Sequence, residues 1–144
     1  MFKNSVISLV LSLTAATSAF AQVPESDMVR LLAAIKQVES NGISSAVGDQ
    51  GKALGAYQIW KSYWQDGVAY VPSIGGCYQD CKDPKYAEFV VRAYLARYAP
   101  KRGTVTLEML ARIHNGGPRG YLKPATLKYW LKVQRLLTDT GKNT

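Results

Sequence analysis

The stretch SSAVGDQGKALGAYQI, residues 44 to 59, constrains the fold of this chain more than any other segment. It is rich in Gly and Ser and ends in an apolar and aromatic run, a composition that favours short strands joined by turns. On both sides of it, apolar residues recur at helical spacing instead. The sequence therefore predicts a mainly helical α+β fold in which a small β-hairpin region follows the first helix.

Two helices are predicted on either side of this stretch. The first is expected to begin at Ser26 or Asp27 and to stop at Gly42. The second has Asp83 as its N-cap and Pro84 at the first helical position. The apolar residues expected to face the core are Met28, Leu31, Leu32, Ile35 and Val38 in the first helix, and Ala87, Val90, Val91, Tyr94, Leu95 and Tyr98 in the second.

Two further helices are predicted towards the C-terminal end. One covers about residues 106 to 113 and is stopped by the sequence NGGP, because Asn and Gly end helices readily. The last begins near Pro124. Its expected core-facing residues are Leu127, Trp130, Leu131, Val133 and Leu137.

The first 21 residues have the features of a signal peptide. Lys3 gives a positive start, the apolar run VISLVLSL follows, and Ala19-Phe20-Ala21 has the small-x-small form of a cleavage site. The apolar run is too short to span a bilayer, so cleavage is favoured over anchoring. We expect residues 22 to 144 to form a single exported domain, periplasmic or secreted, with no stable insertion into a membrane.

The chain is basic and contains two cysteines. Its net charge of +8 falls to +7 when Lys3 is removed, which favours an anionic partner such as a cell-wall polymer, although charge also serves solubility. The sequence contains no motif typical of DNA or RNA recognition, so nucleic acid is disfavoured. Cys77 and Cys81 fit one short-loop disulfide in an oxidising compartment, with a free pair as the alternative. A zinc site is disfavoured because the chain has one histidine.

Glu39 is placed where an ionised carboxylate is unfavourable. It follows Leu32 and Ile35 on the same helix face, and it lies in the last turn, where the helix dipole is negative. Partial burial and the dipole both favour the protonated form, which a general acid needs near neutral pH. On spacing alone, an incidental glutamate is the competing interpretation.

Asp49 is the nearest candidate for a second catalytic carboxylate. Glycoside cleavage uses one carboxyl group to protonate the leaving oxygen and another to stabilise the cation, attack it or activate water. The turn sequence GDQG would keep Asp49 exposed and well solvated, which suits the second role. Asp-x-Gly is also a common turn sequence, so a purely structural turn is the alternative.

Two other stretches closely resemble segments of the invertebrate-type lysozymes. GAYQIWKSYWQDG, at 55 to 67, resembles that family's Gly-x-x-Gln-Ile segment followed by Tyr-Trp, and ARIHNGGPRGYLKPATLKYWLKV, at 111 to 133, resembles its His-Asn-Gly-Gly-Pro run with a later Tyr-Trp pair. The resemblance extends over about residues 35 to 133. It implies the lysozyme-like fold, hydrolysis of the β-1,4 bond between N-acetylmuramic acid and N-acetylglucosamine in peptidoglycan, and no cofactor.

The resemblance also implies roles for the two carboxylates and bears on two residues of the Gly-x-x-Gln-Ile segment, Tyr57 and Gln58. VES, at 38 to 40, resembles the family's catalytic-glutamate segment, so Glu39 is expected to be the acid. Asp49 occupies the approximate place of the second carboxylate. Tyr57 and Gln58 alternate on a predicted strand, so one of them is expected to face the cleft. There Gln58 can bind an N-acetyl group or the catalytic carboxyl, and Tyr57 can lie against a sugar ring.

The C-terminal motif supplies two more candidate residues. Asn115, just past a predicted helix end, is expected to line the substrate cleft, and His114 to support it. The aromatic residues Trp60, Tyr63, Trp64, Tyr129 and Trp130 are expected to form core and cleft wall rather than sugar platforms.

Two other interpretations of the function remain open. The first half is also similar to bacterial lytic transglycosylases, which use a single glutamate and release anhydro-muramyl products; Asp49 favours hydrolysis instead. A non-catalytic cell-wall-binding module is disfavoured because Glu39, Gln58 and Asn115 are all present. A bacterial origin would account for the low cysteine content, since animal members of the family are rich in disulfides. The expected partners are peptidoglycan glycan strands and a lysozyme inhibitor protein.

Overall fold

The computed structural model describes residue 20 and residues 23 to 139. The predicted signal peptide lies almost wholly outside these residues, so its cleavage stays a prediction. The described part confirms the mainly helical α+β class. Its elements are α1 (Glu25–Ser40), β1 (Val47–Gly48), β2 (Ala53–Leu54), β3 (Ile59–Trp60), α2 (Lys61–Tyr70), α3 (Pro84–Tyr98), α4 (Leu107–Gly116) and α5 (Leu127–Asp139). Among these helices, none is long and apolar enough to cross a membrane.

Helix α1 begins at Glu25, earlier than the predicted start at Ser26 or Asp27. Pro24 precedes it, and its fixed φ leads into the first turn without a side-chain cap. The helix ends where Asn41 takes a left-handed conformation with φ of 54°, and the amides of Asn41 and Gly42 bond to carbonyls of the last turn. This termination places Glu39 next to the small sheet.

The predicted hairpin is confirmed and gains a third strand. Strands β1, β2 and β3 form an antiparallel sheet in sequence order, with Val47 opposite Leu54 and Ala53 opposite Trp60. Each strand is only two residues long, so backbone bonds alone cannot hold the sheet. Ala53, Leu54 and Ile59 are buried and attach it to the helical core.

Helix α2 was not predicted. Only Gly67 is buried in it, so its sequence lacks the apolar stripe that reveals an amphipathic helix. The helix instead approaches α3 closely at Gly67, where a Cβ would lie 2.9 Å from the Val90 carbonyl oxygen. The Trp64 indole N–H also donates to the Tyr86 hydroxyl of α3 at 2.8 Å.

The core is formed by α1, α3, α4 and α5 around the buried turn that follows β2. Asp83 caps α3 and Pro84 begins it, as predicted. The prediction for α5 is partly wrong, because Leu127 and Leu131 are each 46% exposed. The buried residues of α5 are Tyr129, Val133 and Leu137, which lie at a strict four-residue spacing.

Helix α4 continues to Gly116, beyond the predicted end near residue 113. Thr106 caps its start by accepting from the Met109 amide at 3.2 Å. The helix ends at Gly117, which adopts φ of 83°. His114 and Asn115 therefore lie in the last turn of α4, so the prediction that Asn115 lies past the helix end is wrong.

Candidate active site

A cleft of about 730 Å³ opens beside the small sheet and the ends of α1 and α4. Its wall is more polar than apolar. The predicted site residues that line it are Glu39, Asp49, Gln58, His114 and Asn115. Residues from four different parts of the chain are thus brought to one cavity.

Glu39 projects into this cleft from the last turn of α1. Its side chain is 19% exposed, which agrees with the partial burial expected from its helix face. The nearest polar group of α4 is the His114 ring, whose Nε2 lies 3.5 Å from Glu39 Oε1. The carboxyl group is therefore open to the cleft on one side and faces an imidazole on the other.

His114 is held by a second contact behind it. Its side chain is 4% exposed, and its Nδ1 lies 2.9 Å from the Tyr63 hydroxyl. Which of the two groups donates depends on the ring tautomer, because a hydroxyl can both donate and accept. His114 therefore lies between Tyr63 and Glu39, with one ring nitrogen facing each of them.

Two tyrosines, Tyr63 in the cleft wall and the buried Tyr129, complete the surroundings of Glu39. Burial, and after it the neighbouring Tyr94 and Glu39, raise the pKa of Tyr63 well above its usual range, so Tyr63 remains a hydroxyl donor. The Tyr129 hydroxyl is buried and makes no hydrogen bond of ordinary geometry within the described residues. Burial first, and then the adjacent Glu39 carboxyl, raise the pKa of Tyr129 well above its usual range.

Asp49 enters the cleft from the turn that follows β1. The turn takes three consecutive residues into the left-handed region, with φ of 48° at Asp49, 58° at Gln50 and 92° at Gly51. Asp and Gly adopt this region readily, which explains the sequence of the turn. The exposed carboxylate accepts a hydrogen bond from the Trp60 indole N–H, with Nε1 3.1 Å from Oδ2.

Gln58 faces the cleft, whereas Tyr57 does not. Both lie in the turn between β2 and β3, so their prediction as strand residues is wrong. Gln58 adopts φ of 49° and its Nε2 donates to the Gly55 carbonyl at 2.9 Å. Tyr57 is 0% exposed, and its hydroxyl points to Glu88 Oε2 at 3.4 Å, so a direct contact with a sugar is incompatible with its position.

The predicted disulfide between Cys77 and Cys81 is not formed: both residues are free thiols. Cys77 is exposed and caps the short 3-10 helix Tyr78–Lys82, while Asp80 accepts from the Cys77 amide at 2.7 Å. Cys81 points into the core and is fully buried, and burial raises the pKa of its thiol to about 12. The two side chains therefore lie in different surroundings, one exposed and one in the core.

Within the described residues no group of three or more His, Cys, Asp or Glu side chains could hold a metal ion.

A family model described as Destabilase matches residues 29–136. The chain belongs to the Destabilase family. It is 37% identical to a lysozyme of Ostrea edulis over 135 residues, which is 90% of each chain. It is also 43% identical over 84 residues to a lysozyme of Magallana gigas, covering 58% of this chain and 59% of that protein.

Solved structures agree with this membership. The Tapes japonica lysozyme superposes with a TM-score of 0.61 at 31% identity, covering 73% of this chain and 86% of that chain. The Meretrix lusoria lysozyme, solved in complex with Aeromonas hydrophila PliI, gives 0.62 at 32% identity, covering 74% and 87%. The predicted lysozyme-like fold and the resemblance to invertebrate-type lysozymes are confirmed.

Trp60, Tyr63 and Tyr129 form core and cleft wall as expected: Trp60 and Tyr63 line the cleft, and Tyr129 is buried. Sequence reasoning missed two contacts of these residues in this Destabilase-family chain. One is the hydrogen bond from Trp60 to Asp49, and the other is the placement of Tyr63 and Tyr129 beside His114 and Glu39. A local signal existed only for Trp60, since it adjoins the Gly-x-x-Gln-Ile segment. The tyrosines reach the site from distant helices.

Proposed function

We propose that Glu39 is the general acid with which this lysozyme-type glycosidase cleaves the β-1,4 bond between N-acetylmuramic acid and N-acetylglucosamine in peptidoglycan. The lysozyme relatives and the Destabilase match support the reaction class. The observation that carries the residue assignment is the placement of Glu39: a partly buried carboxyl group that opens into the polar cleft and contacts His114 behind it.

The contact with His114 holds the Glu39 carboxyl group at the cleft wall. Nε2 lies 3.5 Å from Oε1, and the side of the carboxyl group that opens into the cleft would give its proton to the leaving sugar oxygen. Asp49 supplies the second carboxylate from the turn after β1. In this proposal it stabilises or attacks the developing oxocarbenium ion, or activates the water that does so.

Gln58 and Asn115 complete the proposed substrate groove. Both line the cleft and carry an amide, which can pair with the N-acetyl and hydroxyl groups of the glycan. The Gln58 amide nitrogen donates to the Gly55 carbonyl and its oxygen packs against Gly48, so the amide is held in place at the cleft wall. His114 acts behind Glu39 rather than on the sugar.

Two further features belong to the proposal. The Meretrix lusoria lysozyme was solved in complex with Aeromonas hydrophila PliI and in an inhibitor-bound form, and we infer that an inhibitor protein binds this chain. The basic charge and the features of the first 21 residues support export to a compartment where peptidoglycan is accessible.

The test is turnover of purified peptidoglycan by Glu39→Gln. We expect a loss of at least about a hundredfold in rate, because general acid catalysis contributes on that order. Glu108→Gln is the matched control, since Glu108 lies outside the cleft and pairs with Arg112 on α4. Unchanged activity in Glu39→Gln would remove this residue from the mechanism.

Mass spectrometry of the released sugars decides between the two reaction types. Reducing ends indicate hydrolysis, whereas anhydro ends indicate a lytic transglycosylase that uses Glu39 alone. The exposed Asp49 carboxylate in the cleft favours hydrolysis.

A further inference from the structure

Trp60 is an exposed tryptophan in a polar cleft. It is 45% exposed and lines the same cavity as Glu39 and Asp49. Trp64 and Trp130, by contrast, are partly buried and pack against the core. An indole that gains little from burial and is presented to a ligand cavity is better explained by binding than by packing.

The indole N–H fixes the direction of the Asp49 carboxylate. Nε1 lies 3.1 Å from Oδ2, and this is the one side-chain hydrogen bond or ion pair that Asp49 makes among the described residues. Asp49 itself stands on a turn with positive φ at three successive residues. Such a turn leaves the carboxylate exposed, so its orientation depends on Trp60.

The strand β3 gives Trp60 a rigid base for this contact. Trp60 pairs with Ala53 in the sheet, and its neighbour Ile59 is buried in the core. The Lys52 ammonium lies 5.9 Å from the ring centroid, so a cation accompanies the ring. The backbone under the indole is thereby anchored while the ring stays at the cleft surface.

We propose that Trp60 has two roles in the cleft: its N–H positions Asp49, and its ring stacks on a pyranose unit of the glycan beside Asp49. The C–H face of a sugar ring is apolar enough to pack on an indole, and its hydroxyls remain free for the polar wall. This inference rests on the proposed function and adds a positioning and specificity residue to it.

The two roles separate in two substitutions. Trp60→Phe keeps an aromatic ring and loses the N–H, so kcat on soluble peptidoglycan fragments should fall about tenfold while KM changes little, because a hydrogen bond to a charged group is lost. Trp60→Leu loses both, so KM should also rise. Trp130→Phe, on α5 outside the cleft, is the matched control and should behave as wild type.

A double variant tests whether Trp60 acts through Asp49. In an Asp49→Asn background, Trp60→Phe should have no further effect on kcat, because the carboxylate that it positions is gone. If the fold-losses in kcat of the two single substitutions multiply in the double variant, the positioning role is wrong. An unchanged kcat in Trp60→Phe would also overturn it.

The stacking role has a direct binding readout. The trisaccharide of N-acetylglucosamine should shift the tryptophan fluorescence of Glu39→Gln and of Glu39→Gln/Trp130→Phe, but not of Glu39→Gln/Trp60→Phe. A persistent shift in the last variant, or a trisaccharide affinity unaffected by Trp60→Leu, would overturn stacking. Wild-type activity in Glu39→Gln would instead contradict the proposed function, so failure of the stacking role and failure of the proposed function are distinguishable.

Discussion

The His114 Nε2 lies 3.5 Å from the Glu39 Oε1, and this contact joins the last turns of α4 and α1. The Tyr63 hydroxyl of α2 extends this network with a hydrogen bond to the His114 Nδ1 at 2.9 Å. A helix without a buried apolar stripe therefore contributes the residue that holds the His114 ring from behind. Three helices thus fix the orientation of one carboxyl group.

We expect His114→Ala to lower kcat about tenfold or more and to leave KM nearly unchanged, because the group that orients Glu39 is lost while the sugar-binding wall remains. Removing a buried ring also costs stability, so melting temperature must be measured in parallel. The conservative variant is Tyr63→Phe, which keeps the ring stacked on Tyr94 at 3.5 Å and removes only the hydroxyl. It should lower kcat in the same direction by a smaller factor. Wild-type kcat in both variants would contradict the positioning role of His114.

Asp49→Asn should reduce the rate of bond cleavage at least about a hundredfold if Asp49 is the second carboxylate. Asp66→Asn is the matched control, since Asp66 lines the same cleft and loses the same charge. Its carboxylate is already engaged by the Tyr98 hydroxyl at 2.8 Å and lies 3.7 Å from Arg97. We expect Asp66→Asn to retain most of its activity. Equal losses in the two variants would mean that cleft charge, and not a specific role of Asp49, controls the rate.

Sequence patterns predicted the parts of this protein that depend on local chemistry. Asp83 and Pro84 start a helix wherever they stand before an apolar repeat, and the Gly-rich stretch could form only short strands. Glu39 was found because its helix face and its place in the last turn follow from spacing alone. Gln58, His114 and Asn115 were identified through a family resemblance, since no local rule distinguishes them.

The parts that were missed depend on contacts between distant segments. Helix α2 buries only Gly67, and a glycine that packs against another backbone leaves no periodic signal. Strand alternation could not decide whether Tyr57 or Gln58 faces the cleft; the turn that they form instead buries Tyr57 and leaves Gln58 in the cleft wall. The Tyr63 and His114 pair spans 51 positions of the chain, and only the packed structure brings these residues together.

The two cysteines should react differently with a thiol reagent. At about pH 8, native protein treated with iodoacetamide should be labelled at Cys77 only, because Cys81 is buried and its pKa of about 12 keeps it protonated. Unfolding the protein in urea should expose the second thiol. Both cysteines lie in the tryptic peptide of residues 62 to 82, so tandem mass spectrometry of that peptide gives the site of labelling. If neither cysteine is labelled until a reductant is added, Cys77 and Cys81 form a disulfide in solution, which would contradict two free thiols.

Gly55 is the glycine whose replacement should harm both stability and activity. It adopts φ of 74°, and a Cβ there would collide with the carbonyl of Cys81, which is backbone and cannot rotate away. Gly55 also anchors the turn that carries Gln58, because its carbonyl accepts from both the amide and the side chain of Gln58.

Gly51 offers a matched control: it adopts φ of 92° with open space where its Cβ would stand. Gly51→Ala should cost about 1–2 kcal/mol in the free energy of unfolding, the cost of a left-handed alanine. Gly55→Ala should cost clearly more and lower kcat through Gln58, as urea unfolding with an unchanged m-value and peptidoglycan turnover would show. Equal destabilisation by the two substitutions would mean that the β2–β3 turn does not press against Cys81 in solution.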